Sequence, residues 1–287
     1  MILVVGASGV LGGRVVRRLI EEEHPVRALV RDPGTAEGLG AAGADVVKGD
    51  LRRPDTLTAA LRGVAAVVTT ANSSARSGAD TVDSVDREGN RALIDAAREE
   101  GVEQFVFVSA FGAAADSPVP FLRAKGMSED HLRSSGLPFS ILRPDLFMES
   151  WIGRFVVNPV RAGRPVVIVG AGERLHSFVA IEDVAAFVVA VIGNPPAIGR
   201  AISFGGPHAL SWLDIIESVA HIIGRVIPVR HVQPGTSIPG LPDTVAQIAA
   251  ALDRYDSVLD SRHLAQDFGI TLTSVETWLR AQLSEDM

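Results

Sequence analysis

Short apolar runs recur along the chain at 1–5, 26–30, 45–48, 65–70, 104–109, 139–142, 166–169, 177–181 and 201–204. Their length and density of apolar side chains suit strands buried on both faces. Between most of the early runs, apolar residues return every three or four positions, at 10–22, 55–62, 86–100 and 121–135. That is the period of a helix with one buried face. Turns fall where such helices should stop, at Gly101 after Glu99-Glu100 and at Gly136-Leu137-Pro138 after Ser134-Ser135. The alternation predicts an α/β fold built on a doubly wound parallel sheet. It loosens beyond residue 150, at Asn158-Pro159, Arg164-Pro165, Pro195-Pro196, Gly205-Gly206-Pro207 and Pro234-Gly235. Helices are still predicted at 183–193, 211–224, 243–253 and 274–283. The expected division is 1–150, with returning segments at about 176–206, and a smaller lobe from about 151–175 and 207–287.

The first strand ends in Gly6-Ala7-Ser8-Gly9-Val10-Leu11-Gly12, and Val15, Val16, Leu19 and Ile20 then follow with helical spacing. Strand, tight glycine turn and helix in that order form the first half of a dinucleotide-binding βαβ unit, which makes the fold Rossmann-type. Gly6 can take backbone angles that side chains forbid, Gly9 lets a pyrophosphate approach the main chain, and Gly12 lets the helix lie close on the strand. Exposed N–H groups and the positive helix end would hold the phosphates. The spacing is G-x-x-G-x-x-G rather than G-x-G-x-x-G. Glycine-rich turns also join strands and helices that bind nothing, so the flanking elements carry the reading.

The second strand ends in Arg31, 19 positions after Gly12, where an acid would accept from the ribose hydroxyls of NAD. A guanidinium there pairs instead with the 2′-phosphate of NADP, through charge-assisted bonds of roughly 1.5–3 kcal/mol each. The expected cofactor is NADP(H). The alternative is a solvated arginine beside Asp32, which takes the ribose or opens the turn at Pro33-Gly34. After the third strand, Asp50 could accept from the adenine amino group with Leu51 packed on the ring, or Asp50 could cap a helix. Thr70, Ala71 and Asn72 end the fourth strand with small polar groups that suit a sugar-phosphate crevice or any tight loop.

Composition narrows the class. The chain has 287 residues, 47% of them hydrophobic, enough for a sizeable core. The longest membrane-like stretch, Val179 to Ile192, contains Glu182 and Asp183 and falls short of the roughly 18 uncharged apolar residues a span needs. No basic stretch precedes the first apolar run, so no signal peptide is indicated and a cytoplasmic location is expected. A net charge of -7 without a basic tract argues against nucleic acid. With no cysteine there are no disulfides, thiolate metal sites or cysteine nucleophiles, and no histidine–carboxylate spacing resembles a metal site. The expected partner is a small molecule, bound by a monomer or homodimer. Lys48 and Lys125 are the only lysines among many arginines. Arginine stays protonated and is a poor proton-transfer group, so a lysine kept in such a chain hints at a place where arginine cannot do the job.

The fifth strand ends in Ser109-Ala110-Phe111-Gly112, and Phe121 and Lys125 share one helical face four positions apart. The sixth strand leads into Arg143-Pro144-Asp145-Leu146-Phe147-Met148-Glu149. With GASGVLG, ALVRDP, GDL, VDREGNRALIDAAREEGVEQFVFVSAFG, Lys125, SGLPFSILRP and HSFVAIEDVA, the chain resembles an atypical short-chain dehydrogenase/reductase. It is similar to the NmrA-like group, related to isoflavone-reductase-like enzymes and NADPH-quinone reductases, over about residues 1 to 206. The resemblance implies NADP(H) held by Gly6 to Gly12, Arg31, Asp50, Leu51, Thr70 to Asn72, Ser109, Ala110 and Lys125. It places the nicotinamide near Pro144, Leu146 and Phe147.

One departure matters. Reductases of this kind usually present Tyr-x-x-x-Lys, whereas this chain reads Phe121-Leu122-Arg123-Ala124-Lys125, and its one tyrosine is Tyr255. A positioned general acid is worth roughly 10²–10⁴ in rate, so quinones or conjugated alkenes, which need little proton help, would suffer least from its loss. The resemblance implies two outcomes: members that also lack the tyrosine use the lysine as acid/base, and regulatory members bind NADP and catalyse nothing. Lys125 and Ser109 are the candidate catalytic residues. Their alternatives are an i,i+4 ion pair of Lys125 with Glu129 and a backbone hydrogen bond from Ser109. Phe111, Phe121, Phe147, Met148, Trp151, Phe155 and His176 are candidates for an apolar substrate pocket, or for ordinary packing. Glu182-Asp183 reads as a helix cap. The expectation is an NADPH-dependent oxidoreductase acting on a small aromatic or quinone/enone-like molecule through a C-terminal substrate lobe. The alternatives are a non-catalytic NADP(H)-sensing protein and a cofactor-retaining isomerase or lyase.

Overall fold

The computed structural model describes residues 1–74, 78–236, 238 and 240–284. In chain order the elements are β1 (Ile2–Val5), α1 (Val10–Glu21), β2 (Val26–Val30), α2 (Glu37–Ala41), β3 (Asp45–Lys48), α3 (Leu57–Leu61), β4 (Ala66–Thr69), α4 (Glu88–Glu99), β5 (Gln104–Val108), α5 (Pro120–Ser134) and β6 (Phe139–Pro144). There follow α6 (Asn158–Arg161), β7 (Val166–Val169), α7 (Ile181–Ala190), β8 (Arg200–Phe204), α8 (Trp212–Ile223), β9 (Val229–Val232), α9 (Asp243–Leu252), α10 (Arg262–Asp267) and α11 (Val275–Ser284).

The chain divides into two compact units, Met1–Arg143 with Val184–Ile202, and Pro144–Asp183 with Ser203–Met287. The expected division lay several residues later at 150, and it assigned 176–183 to the first unit. Those residues belong to the second because their backbone is held there: the Ser177 N–H donates to Asp145 and the Val179 N–H to the Leu146 carbonyl.

The main sheet runs β3-β2-β1-β4-β5-β6-β8, and every pairing from β3 through β6 is parallel. The strand order reverses between β1 and β4, which leaves a crevice beyond their carboxyl ends, the usual ligand position in doubly wound folds. In the first unit, Leu3 and Val5 of β1 join Val67, Phe105, Phe107, Leu57, Leu93 and Leu132 in one core. By strand alternation Val4 faces the other way, and Val15, Val16 and Leu19 form the buried stripe of α1. The second unit has its own core, in which Met148, Ile152, Val156, Phe178, Ile215, Val219 and Leu279 meet.

Three features differ from the sequence expectation. The run 177–181 is not a strand. His176 makes single bridges to Leu210 and Ser257, Phe147 makes one to Val179, and α7 begins at Ile181, so no continuous ladder forms. The start of α7 also has an acceptor that local spacing did not show: Glu149, far back in sequence, accepts the Ile181 N–H, and Asp183 accepts from the backbone and hydroxyl of Thr273. Finally, β9 pairs with β7 in a separate two-stranded sheet. Its Arg230 and His231 are exposed, so it carries no apolar run to betray it.

The opening turn is closed by contact. Gly6 has φ +85, and a Cβ there would lie 2.8 Å from Thr70 Oγ1. A Cβ on Gly12 would overlap the Gly6 carbonyl, whereas one on Gly13 meets its nearest atom at 3.4 Å. Gly12→Ala should therefore destabilise the chain by roughly 1–3 kcal/mol through overpacking, and Gly13→Ala should be near neutral. Thermal unfolding of the pair checks this, and equal melting temperatures would contradict the close approach.

Candidate functional site

In the first unit, the crevice beyond β1, β2, β3 and β4 is lined by Gly6, Ser8, Arg31, Asp50, Leu51, Ala71, Asn72 and Asp80. The structure thus brings together the glycine turn, the end of β2 and the turns after β3 and β4. Ala7 is buried, Val10 is exposed, and Leu11 is buried on α1. Thr70 donates its N–H to the Val5 carbonyl, so its role here is to hold the turn against β1. Asn72 accepts from the backbone and hydroxyl of Ser74.

Two guanidiniums converge at the end of this crevice on one carboxylate. Arg31 Nη1 lies 2.5 Å from Asp80 Oδ2, and Arg52 Nη1 lies 3.2 Å from Asp80 Oδ1. Arg52 also donates to Asp50 at 2.6 Å, and this hydrogen bond holds the Asp50 carboxyl below its usual range. Neither Arg52 nor Asp80 stands out in the sequence, because nothing distinguishes Arg52 from Arg53 and Asp80 lies between elements. The geometry fits a dinucleotide: a glycine turn into which no Cβ would fit at Gly6, leucine and small polar walls, and a paired cationic end.

Lys125 projects from α5 and is almost wholly buried. Its Nζ donates to the carbonyls of Val108 at 3.2 Å and Ala71 at 3.4 Å, and it stands 3.6 Å from Asp86 Oδ1. The rings of Phe107 and Phe121 lie 5.0 and 5.7 Å from it, so Phe121 is a wall to the ammonium. Asp86 belongs to a π-helical stretch, Val82–Arg87, that precedes α4. Its Oδ2 accepts from the backbone and hydroxyl of Ser73, while its Oδ1 has no hydrogen-bond partner. Burial pulls Lys125 down and pushes Asp86 up, and each charge opposes the other's shift. The sequence expectation placed 82–87 outside or at the edge of a helix and did not single out Asp86.

The ion pair with Glu129, the alternative role for Lys125, is not the contact it makes, since its carboxylate neighbour is Asp86. Glu129 is fully buried and taken by Arg133 at 2.8 Å, by Arg143, and by the Ser109 hydroxyl at 2.5 Å. Ser109 is thereby a donor to a carboxylate, not to the backbone. Ala110 and Phe111 are half-buried beside it, and Gly126 lets α5 press on Ala114, where a Cβ would overlap the backbone.

The second unit holds Pro144, Leu146 and Phe147 at the end of β6, with Pro144 and Leu146 buried. Met148, expected on a substrate wall, is instead fully enclosed in this unit's core. Trp151, Phe155 and His176 do line a pocket, together with Ile168, Trp212 and Leu252. Trp151 stacks on Phe155 with centroids 5.6 Å apart. His176 is fully buried, its Nδ1 lies 2.8 Å from Ser257 Oγ, and its Nε2 has no hydrogen-bond partner. Ser257 Oγ donates to Asp145 Oδ2 at 2.6 Å, which also accepts the Ser177 N–H. Burial lowers the His176 pKa against the favourable Leu252 backbone and Asp256. Tyr255, edge-on to His176 at 6.0 Å, is pushed up to about 12 by burial and the Asp145 charge. Among the described residues no helix is long and apolar enough to cross a membrane, and no group of three or more histidines and carboxylates could hold a metal.

A family described as NAD(P)H-binding matches residues 6–195, well over half of the chain. The chain is 35% identical to an NAD(P)H azoreductase of Xenophilus azovorans over 81% of its own length and 76% of that protein's. It is 32% identical to the photosystem II assembly factor Ycf39 of Cyanophora paradoxa over 80% of its length and 71% of that protein's. Its fold superposes on the NADPH-dependent quinone oxidoreductase of Escherichia coli, solved with NADPH, with a TM-score of 0.82 at 23% identity, covering 98% of this chain and 99% of that one.

The carboxyl of Asp145 generates a pH dependence. Burial pushes it up to about 7, against the hydrogen bonds that favour its ionised form. Below about pH 4 it is protonated whether the chain is folded or not, and costs nothing. From there to about 7 the unfolded chain releases the proton and the folded chain keeps it, so stability falls as pH rises; above about 7 the penalty is constant. Asp145→Asn should remove that slope. Urea unfolding across the range should show the wild type losing ground to the variant up to about pH 7, and parallel curves would mean an ordinary carboxylate.

Proposed function

Because this chain belongs to the NAD(P)H-binding family, we propose that it is an NADPH-dependent reductase of a small aromatic, azo or quinone-like molecule. The observation that carries the reductase reading is the 35% identity with the azoreductase, spread over four fifths of this chain. The reduced nucleotide would supply a hydride. The residues that would hold it are Gly6 to Gly12 at the phosphates, Asp50 and Leu51 at the adenine, Thr70 to Asn72 at the sugar, and Arg31 with Arg52 at the 2′-phosphate.

Phe121 offers no proton where the usual tyrosine would. Lys125 is the group that could hold or move one, but its Nζ is shared among two carbonyls and Asp86. Such a site favours acceptors whose reduction needs little acid help. Quinones are of this kind, because hydride addition leaves a weakly basic hydroquinone anion.

A second reading is a non-catalytic NADP(H)-responsive protein. The absent hydroxyl at Phe121 and the 32% identity with an assembly factor support it. Oxidation of NADPH by the purified chain should be followed against a panel of azo dyes, quinones and enones. Turnover supports the reductase. Tight NADPH binding with no turnover on any acceptor would reject it, and comparison of captured partners with and without NADPH then tests the second reading.

The cofactor preference has its own test. Arg31→Ala should weaken NADPH by about tenfold or more, with NADH little changed. Asp80 competes with a phosphate for the same two guanidiniums, so Asp80→Asn should tighten NADPH and leave NADH nearly unaltered. If Asp80→Asn weakens both nucleotides, the carboxylate holds the ribose or the loop rather than opposing the phosphate.

A further inference from the structure

Asp86 is placed by an unusual turn of backbone and held there from three elements. It lies in the π-helical stretch Val82–Arg87, whose buried residues are Val85 and Asp86. Widened turns of this kind are uncommon and collect at functional sites. The Asp86 carbonyl accepts from the Ser128 hydroxyl of α5 at 2.8 Å and from the Asn90 side chain of α4 at 3.2 Å. Asn90 in turn accepts from the Thr69 hydroxyl of β4 at 3.0 Å. The carboxylate is thereby fixed in place. Its Oδ2 accepts from the N–H and the hydroxyl of Ser73 at 3.0 and 2.6 Å, and its Oδ1 stands 3.6 Å from Lys125 Nζ.

The hydrogens available decide the charge state of the pair. An ammonium carries three N–H donors. Around Lys125 Nζ stand three oxygens: the carbonyls of Val108 and Ala71, and Asp86 Oδ1. A neutral amine would have two hydrogens for the three, and a proton on Asp86 would lie too far off at 3.6 Å to make good the difference. The rings of Phe107 and Phe121 favour a cation further. Glu129 is the other carboxylate that acts on Lys125, but Arg133, Arg143 and the Ser109 hydroxyl hold its oxygens. On the stretch that carries Asp86, Arg87 and Asp83 pair with each other. Asp86 is thus the counter-charge of the buried ammonium.

We propose that Asp86 is a positioning residue of the nucleotide site, which keeps Lys125 an ammonium and fixes it together with the Ala71–Ser73 turn against the nucleotide's sugar. One carboxylate holds the turn through Ser73 and also holds the lysine, which bonds to the same turn through Ala71. The bond to Ala71 is the longer of the two that Nζ makes to carbonyls, and is the one a sugar hydroxyl would replace. Lys125 then presents a standing positive charge to the bound nucleotide. This inference rests on the crevice holding NADP(H) and on Lys125 reaching its sugar, and is independent of turnover.

The scarcity of lysine makes the test direct. Lys48 and Lys125 are the only lysines, and Lys48 is exposed. Protein made with lysine carrying carbon-13 at Cε should therefore give one signal for each, and Lys48→Arg identifies the signal of Lys125. Without nucleotide at about pH 7, the wild-type Lys125 signal should stand at the ammonium position. Asp86→Asn keeps the shape and removes the charge, so it should bring the Lys125 titration to lower pH. NADPH affinity of this variant relative to wild type should fall by about tenfold across that titration, the worth of one charge-assisted bond, and recover on return to the acid side. A Lys125 signal at the neutral-amine position in the wild type at about pH 7 overturns the proposal, and needs no variant to fold. So does a titration that Asp86→Asn leaves unmoved, an NADPH affinity it leaves unchanged, or a loss equal at every pH, which marks a purely structural role. Any of these with NADPH turnover intact would leave the reductase standing. The expected shifts in a chain that turns nothing over would leave this assignment standing alone.

Discussion

An ammonium ion buried among carbonyls is the constraint on which the first unit's chemistry depends. Lys125 reaches from α5 to the ends of β4 and β5 and to the π-helical stretch before α4. Removing a charge from water is expensive, and the cost is recovered only if partners surround it closely. The strand ends, the turn at Ala71 and the carboxylate of Asp86 are therefore fixed in mutual register by one side chain. Ser73 and Ser128 complete the arrangement by bonding to the carboxylate and the backbone carbonyl of Asp86. Arginine in place of Lys125 would need more room and more acceptors than two carbonyls and one oxygen supply.

The carboxylates divide into two kinds. Glu129 is surrounded by two guanidiniums and a hydroxyl, which stabilises α5 against β6 and leaves no capacity for chemistry. Asp86 and Asp145 are less fully matched to a permanent partner. Asp86 has an oxygen without a hydrogen bond, and Asp145 is buried and accepts from the Ser177 N–H and the Ser257 hydroxyl. Incomplete matching of that kind is what lets a charge respond to a ligand or a proton.

Much of this was legible in the sequence for a simple reason. Short-period signals report local structure, so β1, the glycine turn, α1 and the alternation through β6 could be read directly from spacing. Gly6 and Gly12 were readable because a missing Cβ leaves a mark at a fixed distance from a strand. Partners far apart in sequence leave no such mark. Asp86 for Lys125, Asp80 for Arg31, and Ser257 with Asp145 for His176 are separated by tens of residues or more, and each acid or serine alone looks like a cap. The segment 177–181 misled for the opposite reason: its apolar residues are buried as a strand's would be, but its backbone is satisfied by scattered partners. Glu149 capping α7 from a distance is the same lesson at a helix end.

The interleaving of the two units has a consequence for how the protein is made. The first unit needs α7 and the start of β8, which the ribosome delivers only after all of Pro144–Asp183 has emerged. Part of the second unit is therefore exposed, without its later helices, while the first is still missing an outer strand. Neither unit can be excised as one uninterrupted stretch of gene, and a cut after Arg143 would remove a sheet neighbour from β6. Any ancestor assembled by joining two independent modules end to end would have had a different connectivity from this one.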